Sequence, residues 1–177
     1  MTAGVGTTRV AAGTWAVSDS RTRVGFTVAN LGRTVRGSVP CARGEVVVDA
    51  TGAPVRVRAE LDLAALDTGI ARRDADLRRP RFLDSDRHPT MTWSADRLVP
   101  GPDGSWTAEG TLRVRGTATP LAVTGRVTAV DPGGAEVRVR ATAVLDRTAV
   151  GIRAPAVLVG RLVRIEIDAR LVPARYR

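Results

Sequence analysis

Histidine and cysteine supply many metal ligands and catalytic nucleophiles, and this 177-residue chain has one of each, His88 and Cys41. Zinc usually takes three or four nitrogen and sulfur ligands, so two residues cannot build such a site. A Ser-His-Asp triad would need a serine beside His88, yet the sequence has no Gly-x-Ser-x-Gly elbow. His88 lies in a turn sequence, and Cys41 is most simply a small buried hydrophobic residue. We therefore expect no metal, no cofactor and no internal disulfide.

Two carboxylates, Asp74 and Asp76, could form a metal-binding or acid–base pair. On a helix, however, residues two apart point away from each other, so they would not share one ion. Ion pairs within the helix or to the neighbouring rim fit better, because four arginines flank the carboxylates: Arg72, Arg73, Arg78 and Arg79. One alternative stays open, a small enzyme that uses Asp74 or His88 as a base on an apolar substrate.

The net charge is +9, carried by arginine alone because lysine is absent. Such a charge fits nucleic acid, lipid headgroups or another acidic partner. The arginines alternate with apolar residues, which is typical of a solvated outer face, and aromatic residues make up only 3%. A nucleic-acid-binding barrel is the less favoured alternative, since stacking on bases needs aromatics. No apolar run is long enough to span a bilayer, so we expect membrane contact to be peripheral at most.

Alternation with a period of two dominates the rest of the chain. Apolar and charged residues alternate through 55–63, 136–141 and 163–171, as in strands with one dry and one wet face. In 55–63 the odd positions are expected to face inward. Shorter stretches rich in β-branched residues predict further strands at 14–17, 24–28, 45–48, 91–95, 106–115 and 121–127.

Turn sequences containing glycine and proline separate these strands, at 51–54, 100–104 and 131–134. A sheet with one consistently apolar face must cover that face, and closing on itself also removes the unpaired edges. The prediction is therefore an all-β fold, an antiparallel up-and-down β-barrel of about eight strands.

One segment breaks the alternation. Residues 70–79 contain good helix formers and are predicted to form a short helix at one rim, capped by Asp67 or Thr68. Residues 1–12 are expected to be a flexible tail, so a single domain would occupy 13–177. The first residues lack the basic start and apolar core of a signal peptide, from which we expect a cytoplasmic protein.

A barrel of this size encloses either packed side chains or one slender apolar guest, and the small wall residues favour the guest. Alternation gives most of the candidate lumen residues, and Phe82 from the segment after the helix completes the set: Val24, Phe26, Val28, Val57, Leu61, Phe82, Met91, Trp93, Leu112, Val114, Val139, Ile165 and Ile167. A polar head of the guest would lie at the rim, where the candidates are Arg72, Arg73, Asp74 and Arg147.

Short motifs follow one another in a distinctive order from residue 13 to residue 171. The opening is Trp15, Val17-Ser18-Asp19, Val24-Gly25-Phe26-Thr27-Val28 and Val35-Arg36-Gly37. The middle is more specific: Leu66-Asp67-Thr68-Gly69, Arg73-Asp74-Ala75-Asp76-Leu77, Arg81-Phe82-Leu83-Asp84, His88-Pro89-Thr90-Met91-Thr92-Trp93 and Gly110-Thr111-Leu112-Arg113-Val114-Arg115-Gly116. Thr119-Pro120-Leu121, Asp146-Arg147 and Val150-Gly151 continue the order.

This order of motifs resembles that of the YceI-like polyisoprenoid-binding family. The resemblance implies a lipocalin-like barrel that holds an extended isoprenoid chain, often an isoprenoid quinone or related amphiphile, without catalysis. It also implies a homodimer. Two positions that usually carry histidine in this family carry Asn30 and Asp76, and Val39 and Ala42 stand where aromatics are usual. The last two replacements predict a pocket that is wider, differently shaped or adapted to another chain.

Overall fold

The computed structural model describes residues 9–153 and 159–175. Within these residues it has ten strands and one α-helix. In chain order they are β1 (Gly13–Val17), β2 (Arg23–Asn30), β3 (Arg33–Val39), β4 (Cys41–Val48), β5 (Pro54–Asp62), α1 (Ala71–Leu77), β6 (Thr90–Pro100), β7 (Trp106–Val114), β8 (Thr117–Val130), β9 (Val137–Asp146) and β10 (Leu162–Pro173).

The strands close into an antiparallel barrel. The pairing runs β1-β4-β5-β6-β7-β8-β9-β10, and β1 returns to β10 through Trp15 opposite Pro173, so eight strands form a ring. The hairpin β2–β3 lies beside β1 along β10, with Phe26 opposite Ile165. The predicted fold class, an eight-stranded lipocalin-like barrel with one short helix, is confirmed.

Side-chain alternation places the apolar residues inside the ring. Along β10, Val163, Ile165 and Ile167 pack against the main buried cluster, while Arg164 on the same strand is exposed. The prediction for β5 is wrong at Val55, which is 41% exposed. A bulge makes Val48 pair with Pro54 while Val47 pairs with Arg56, so Val55 is left without a partner in that ladder and turns outward.

Strand β3 did not emerge from the sequence pattern. Its inward positions are Val35, Gly37 and Val39, and the central glycine weakens the apolar period. One edge of β3 pairs with β2, and the other meets Asp67 through reciprocal backbone hydrogen bonds with Ser38. The outer part of this second edge, at Thr34 and Arg36, makes no backbone ladder within the described chain.

The two ends of the barrel differ. The turn end carries the short connections 49–53, 101–105 and 131–136. The helix end is defined here as residues 31–36, 62–89, 115–118, 146–153 and 159–164. Within it, residues 63–89 form the cap segment, whose first and last residues meet where the Leu63 N–H donates to the Pro89 carbonyl at 2.8 Å.

The helix itself is shorter than predicted, and its start is different. Residue Ile70 occupies the N-cap position without a side-chain cap, because the two predicted capping groups are engaged elsewhere. The Asp67 carboxylate accepts from the Gly69 N–H at 2.7 Å, and the Thr68 hydroxyl donates to Asp74 at 2.5 Å. The helix therefore begins without a capping side chain, and hydrogen bonds of Asp67 and Thr68 stabilise the loop before it.

Candidate functional site

The interior of the barrel holds a cavity of about 420 Å³ that runs from the turn end to the helix end. Its walls are almost wholly apolar, with Val, Leu, Ile and Ala predominating. A volume of this size lies within the range of pockets that bind small organic ligands. The arrangement can sequester an apolar molecule from water, and no catalytic group is needed for that.

All thirteen lumen residues predicted from the sequence line this cavity. The wall strands supply twelve of them because residues two apart on a strand share one face. The thirteenth, Phe82, reaches the cavity from the cap segment. Their contact with a guest stays a prediction, developed below.

Sequence reasoning missed the apolar residues that close the helix end. Leu66, Leu77 and Leu83 come from the part of the cap segment that has no strand period, and they line the cavity together with Leu63, the last inward position expected from the alternation in 55–63. Val150 and Ile152 contribute from the loop after β9. The available signal was the high leucine content of 61–83, which is unusual for a connection between strands.

Arg115 joins these two closing elements. It lies in the tight turn between β7 and β8, where both Arg115 and Gly116 have positive φ. Its Nη1 donates to the carbonyls of Phe82 at 2.7 Å and Gly151 at 3.2 Å, and its Nη2 donates to Pro80 at 2.8 Å. One guanidinium thus bridges the cap segment and the loop after β9.

Of the four residues predicted at the rim, Arg147 lies on the cavity. It is 3% exposed, and its guanidinium donates to the carbonyls of Gly160, Ile152 and Val159 at 2.8–2.9 Å. These bonds shape the loop around it. The neighbouring Asp146 fixes the same turn by accepting from the Thr148 N–H and hydroxyl.

The other three rim candidates lie away from the cavity wall. The Asp74 carboxylate is buried and accepts from the Thr68 N–H at 2.9 Å as well as from its hydroxyl, and this hydroxyl bond is the main reason that the pKa of Asp74 is lowered. Arg73 donates to the same threonine through Nε and Nη2, each at 2.8 Å. Arg72 is exposed. Asp74 and Arg73 therefore hold the loop before α1 in place.

The other residues considered as metal ligands or catalytic groups have structural roles or lie off the cavity wall. An ion pair forms between Asp76 in the helix and Arg79, two residues beyond its end, at 3.5 Å. His88 is half-buried in the cap segment and does not line the cavity. Cys41 does line it, and burial raises the pKa of its thiol. Among the described residues, no three His, Cys, Asp or Glu side chains group as a metal site.

The two replaced aromatic positions differ in their surroundings. Val39 lines the cavity, so the replacement at this position bears on the shape of the pocket. Ala42 is exposed on β4, so its replacement leaves the pocket unchanged and that part of the prediction is wrong. In the part of the chain that the structure describes, no helix has the length and apolar character of a transmembrane span.

The fold and the cavity place this protein in the class of closed antiparallel β-barrels with an apolar lumen. The lumen extends along the barrel, and a short helical segment covers one end. The sequence matches the family model for the YceI-like domain over residues 15–171, and the chain belongs to that family. No curated protein matches the sequence.

Several solved structures share the fold. Burkholderia cenocepacia BcnA superposes with a TM-score of 0.79 at 16% identity, covering 87% of this chain and 98% of that one. The Campylobacter jejuni YceI protein gives 0.70 at 15% identity, with coverage of 80% and 86%. A polyisoprenoid binding domain from Saccharophagus degradans, implicated in plant cell wall breakdown, gives 0.68 at 11% identity, with coverage of 90% and 98%.

Proposed function

We propose that this protein binds or carries a long-chain apolar lipid of the polyisoprenoid type inside the barrel, without catalysis. The observation that carries the proposal is the apolar cavity running through the barrel. Membership of the YceI-like family and the fold shared with the Saccharophagus degradans polyisoprenoid binding domain support the lipid class.

Affinity for such a guest would come from chain burial. Each methylene group transferred from water to an apolar wall contributes roughly 0.8 kcal/mol, so a few isoprene units suffice for tight binding without a hydrogen bond. Chain length would then control affinity more than the headgroup does.

The head of the guest, a quinone or an anionic group, would lie at the helix end. Arg147 supports this placement because it is a buried charged side chain on the cavity wall. Arg72, Arg73 and Asp74 give no such support, since none of them lines the cavity. The homodimer and the cytoplasmic location expected from the sequence stay predictions.

The enzymatic alternative is weakened by the positions of its two candidate bases. Asp74 is engaged with Thr68 and Arg73, and His88 lies off the cavity wall. The nucleic-acid alternative lacks a stacking surface. All aromatic residues in the described chain are internal: Trp15 is buried, and Phe26, Phe82, Trp93 and Trp106 line the cavity.

Two measurements on the purified protein test the proposal. Lipid extraction followed by mass spectrometry should recover an isoprenoid lipid. The delipidated protein should then bind a soluble prenol or short-chain ubiquinone, detected through the fluorescence of Trp93 and Trp106 on the cavity wall. Failure to bind any prenol, quinone or fatty chain would refute lumen binding.

Residues 143 and 144 provide a matched pair of variants. Ala143 lines the cavity, whereas Val144 on the same strand is 52% exposed on the outer face. Ala143→Phe should displace about four methylene groups of guest, which corresponds to about 3 kcal/mol and roughly a 100-fold loss of affinity. Val144→Phe should leave the affinity unchanged. Equal effects of the two variants would contradict binding in the lumen.

A further inference from the structure

The positive charge of the barrel is concentrated at the helix end. That end carries 13 arginines against seven acidic residues, whereas the rest of the described chain carries 13 against 11. The excess of basic over acidic residues is therefore six at the helix end and two elsewhere.

Ion pairs also neutralise fewer of the arginines at the helix end than on the rest of the barrel. Two ion pairs join described residues there, Asp76–Arg79 and Asp146–Arg161, while the other ion pairs lie on the walls and at the turn end. Eight exposed arginines of the helix end make no ion pair with any described residue: Arg33, Arg36, Arg72, Arg78, Arg81, Arg87, Arg153 and Arg164.

Large apolar side chains are exposed between these arginines. Leu31 is 67% exposed at the tip of the β2–β3 hairpin, Leu162 is 56% exposed at the start of β10, and Ile70 is 52% exposed before α1. Leu31 also has a φ of 48°, a left-handed conformation in which Asn or Gly is favoured and a branched residue is strained. Neither packing nor backbone preference accounts for a leucine at this tip.

Strand pairing gathers these residues into one sector. The hairpin tip contacts the chain just before β10, where the Gly160 N–H donates to the Ala29 carbonyl at 2.7 Å. On the outer wall below, Thr27 pairs with both Arg164 and Arg36. We call Leu31, Arg33, Arg36, Leu162 and Arg164 the rim sector. The rim sector exposes two leucines and three arginines, and these arginines make no ion pair with any described residue.

We propose that the rim sector docks on the surface of an anionic bilayer. The leucines enter the interface between headgroups and acyl chains, and the arginines bind the lipid phosphates. This inference deepens the proposed function, because a carrier of lipids insoluble in water must meet a bilayer to load or release them. Docking brings the helix end, where the cap segment closes the lumen, against the membrane.

Vesicle binding tests the proposal. The protein should float with vesicles of phosphatidylglycerol and phosphatidylcholine at low salt, and much less with phosphatidylcholine alone. Near an anionic surface each arginine contributes roughly a five-fold factor in affinity, so the triple variant R33Q/R36Q/R164Q should bind about 100-fold more weakly. The control R43Q/R97Q/R126Q removes the same charge from outside the helix end and should retain most of the binding.

A second variant tests the apolar part. L31S/L162S should lose binding that persists in wild type at high salt, where charge attraction is screened. Equal binding by both arginine variants, or no preference for anionic vesicles, would overturn the proposal. Conversion of a dimer to a monomer by L31S/L162S, with vesicle binding unchanged, would overturn it by assigning the sector to a second copy of the chain.

The same variants separate this inference from the proposed function. The rim variants should still bind a soluble prenol in the lumen, and Ala143→Phe should still dock on vesicles. Loss of prenol binding in all proteins, with vesicle docking intact, would refute lumen binding alone. Prenol binding without vesicle docking in wild type would refute docking alone.

Discussion

Arg115 Nη1 donates a hydrogen bond of 2.7 Å to the carbonyl oxygen of Phe82, 33 positions earlier in the chain. The bond connects a barrel turn to a cap-segment residue whose ring lines the cavity. The same guanidinium also donates to the carbonyls of Pro80 and Gly151, so it ties the cap segment and the loop after β9 to one barrel turn.

Arg115→Ala should therefore loosen the cap segment. We expect faster amide hydrogen exchange in residues 78–89 and a several-fold higher dissociation rate for a bound prenol, with the barrel strands still protected. Arg113→Ala is the control, since Arg113 is exposed two residues away and makes no such bonds to the described residues. Unchanged exchange in 78–89 would show that Arg115 does not hold the cap segment in place.

Cys41 gives a chemical measure of lumen occupancy. Its thiol is buried on the cavity wall and donates to the Arg43 carbonyl, and burial raises the pKa of the thiol. A maleimide should react with it slowly near neutral pH, because the thiolate is the reactive form, and a bound prenol should slow the reaction further. In a Cys41→Ser background, Ala42→Cys places a thiol on the exposed neighbour, which should react quickly with or without lipid.

Gly110 lies directly beneath the indole of Trp93. A Cβ at this position would collide with that ring. Gly110→Ala should therefore push Trp93 from its place, lose its hydrogen bond to the Leu121 carbonyl and lower the free energy of unfolding by about 1–3 kcal/mol. Near-ultraviolet circular dichroism and denaturant unfolding measure the two effects. Gly133→Ala in an exposed turn should leave both unchanged.

Glu136 ties three arginines together and should make stability depend on pH. It accepts from Arg170 at 2.9 Å and pairs with Arg21 and with Arg138, and the bond from Arg170 is the main cause of its lowered pKa. A lowered pKa stabilises the folded state above the unfolded value of about 4.3, and that stabilisation is lost as pH falls through the folded pKa.

Glu136→Gln should accordingly lower the Tm at pH 7, and the difference from wild type should shrink as pH falls below about 4. Thermal unfolding across pH 2.5–8, followed by circular dichroism, measures this. Glu45→Gln serves as the control because Glu45 is exposed and makes no ion pair with the described residues. A difference that persists undiminished at the lowest pH would show that the glutamine disturbs packing instead.

The barrel and its lumen were predictable because strand alternation is a local property. Val139, Ile165 and Ile167 line the cavity as expected, since each lies on a strand whose period is unbroken. The prediction that Val55 faces inward was wrong because a bulge shifts the period by one residue. A bulge depends on how two strands pair. Strand β3 was missed because Gly37 interrupts its apolar face, and that glycine accommodates the ring of Phe26 from the neighbouring strand.

The closing elements were less predictable because they are held by long-range polar contacts. Thr68 was a predicted helix cap and Asp74 was expected to form ion pairs with flanking arginines, yet the two residues hydrogen-bond to each other. Arg147 was expected at the rim and lies on the cavity, but its carbonyl partners follow from the path of the loop after β9. The role of Arg115 had no signal beyond its place before a turn glycine.

The cavity also has a mechanical consequence. Hydrostatic pressure favours states of smaller total volume, and internal voids disappear when a chain unfolds. A barrel that encloses about 420 Å³ of space is therefore compressible in a way that a solidly packed sheet is not. A lipid occupying that space would act as an incompressible filling, so the delipidated protein should unfold at lower pressure than the loaded one.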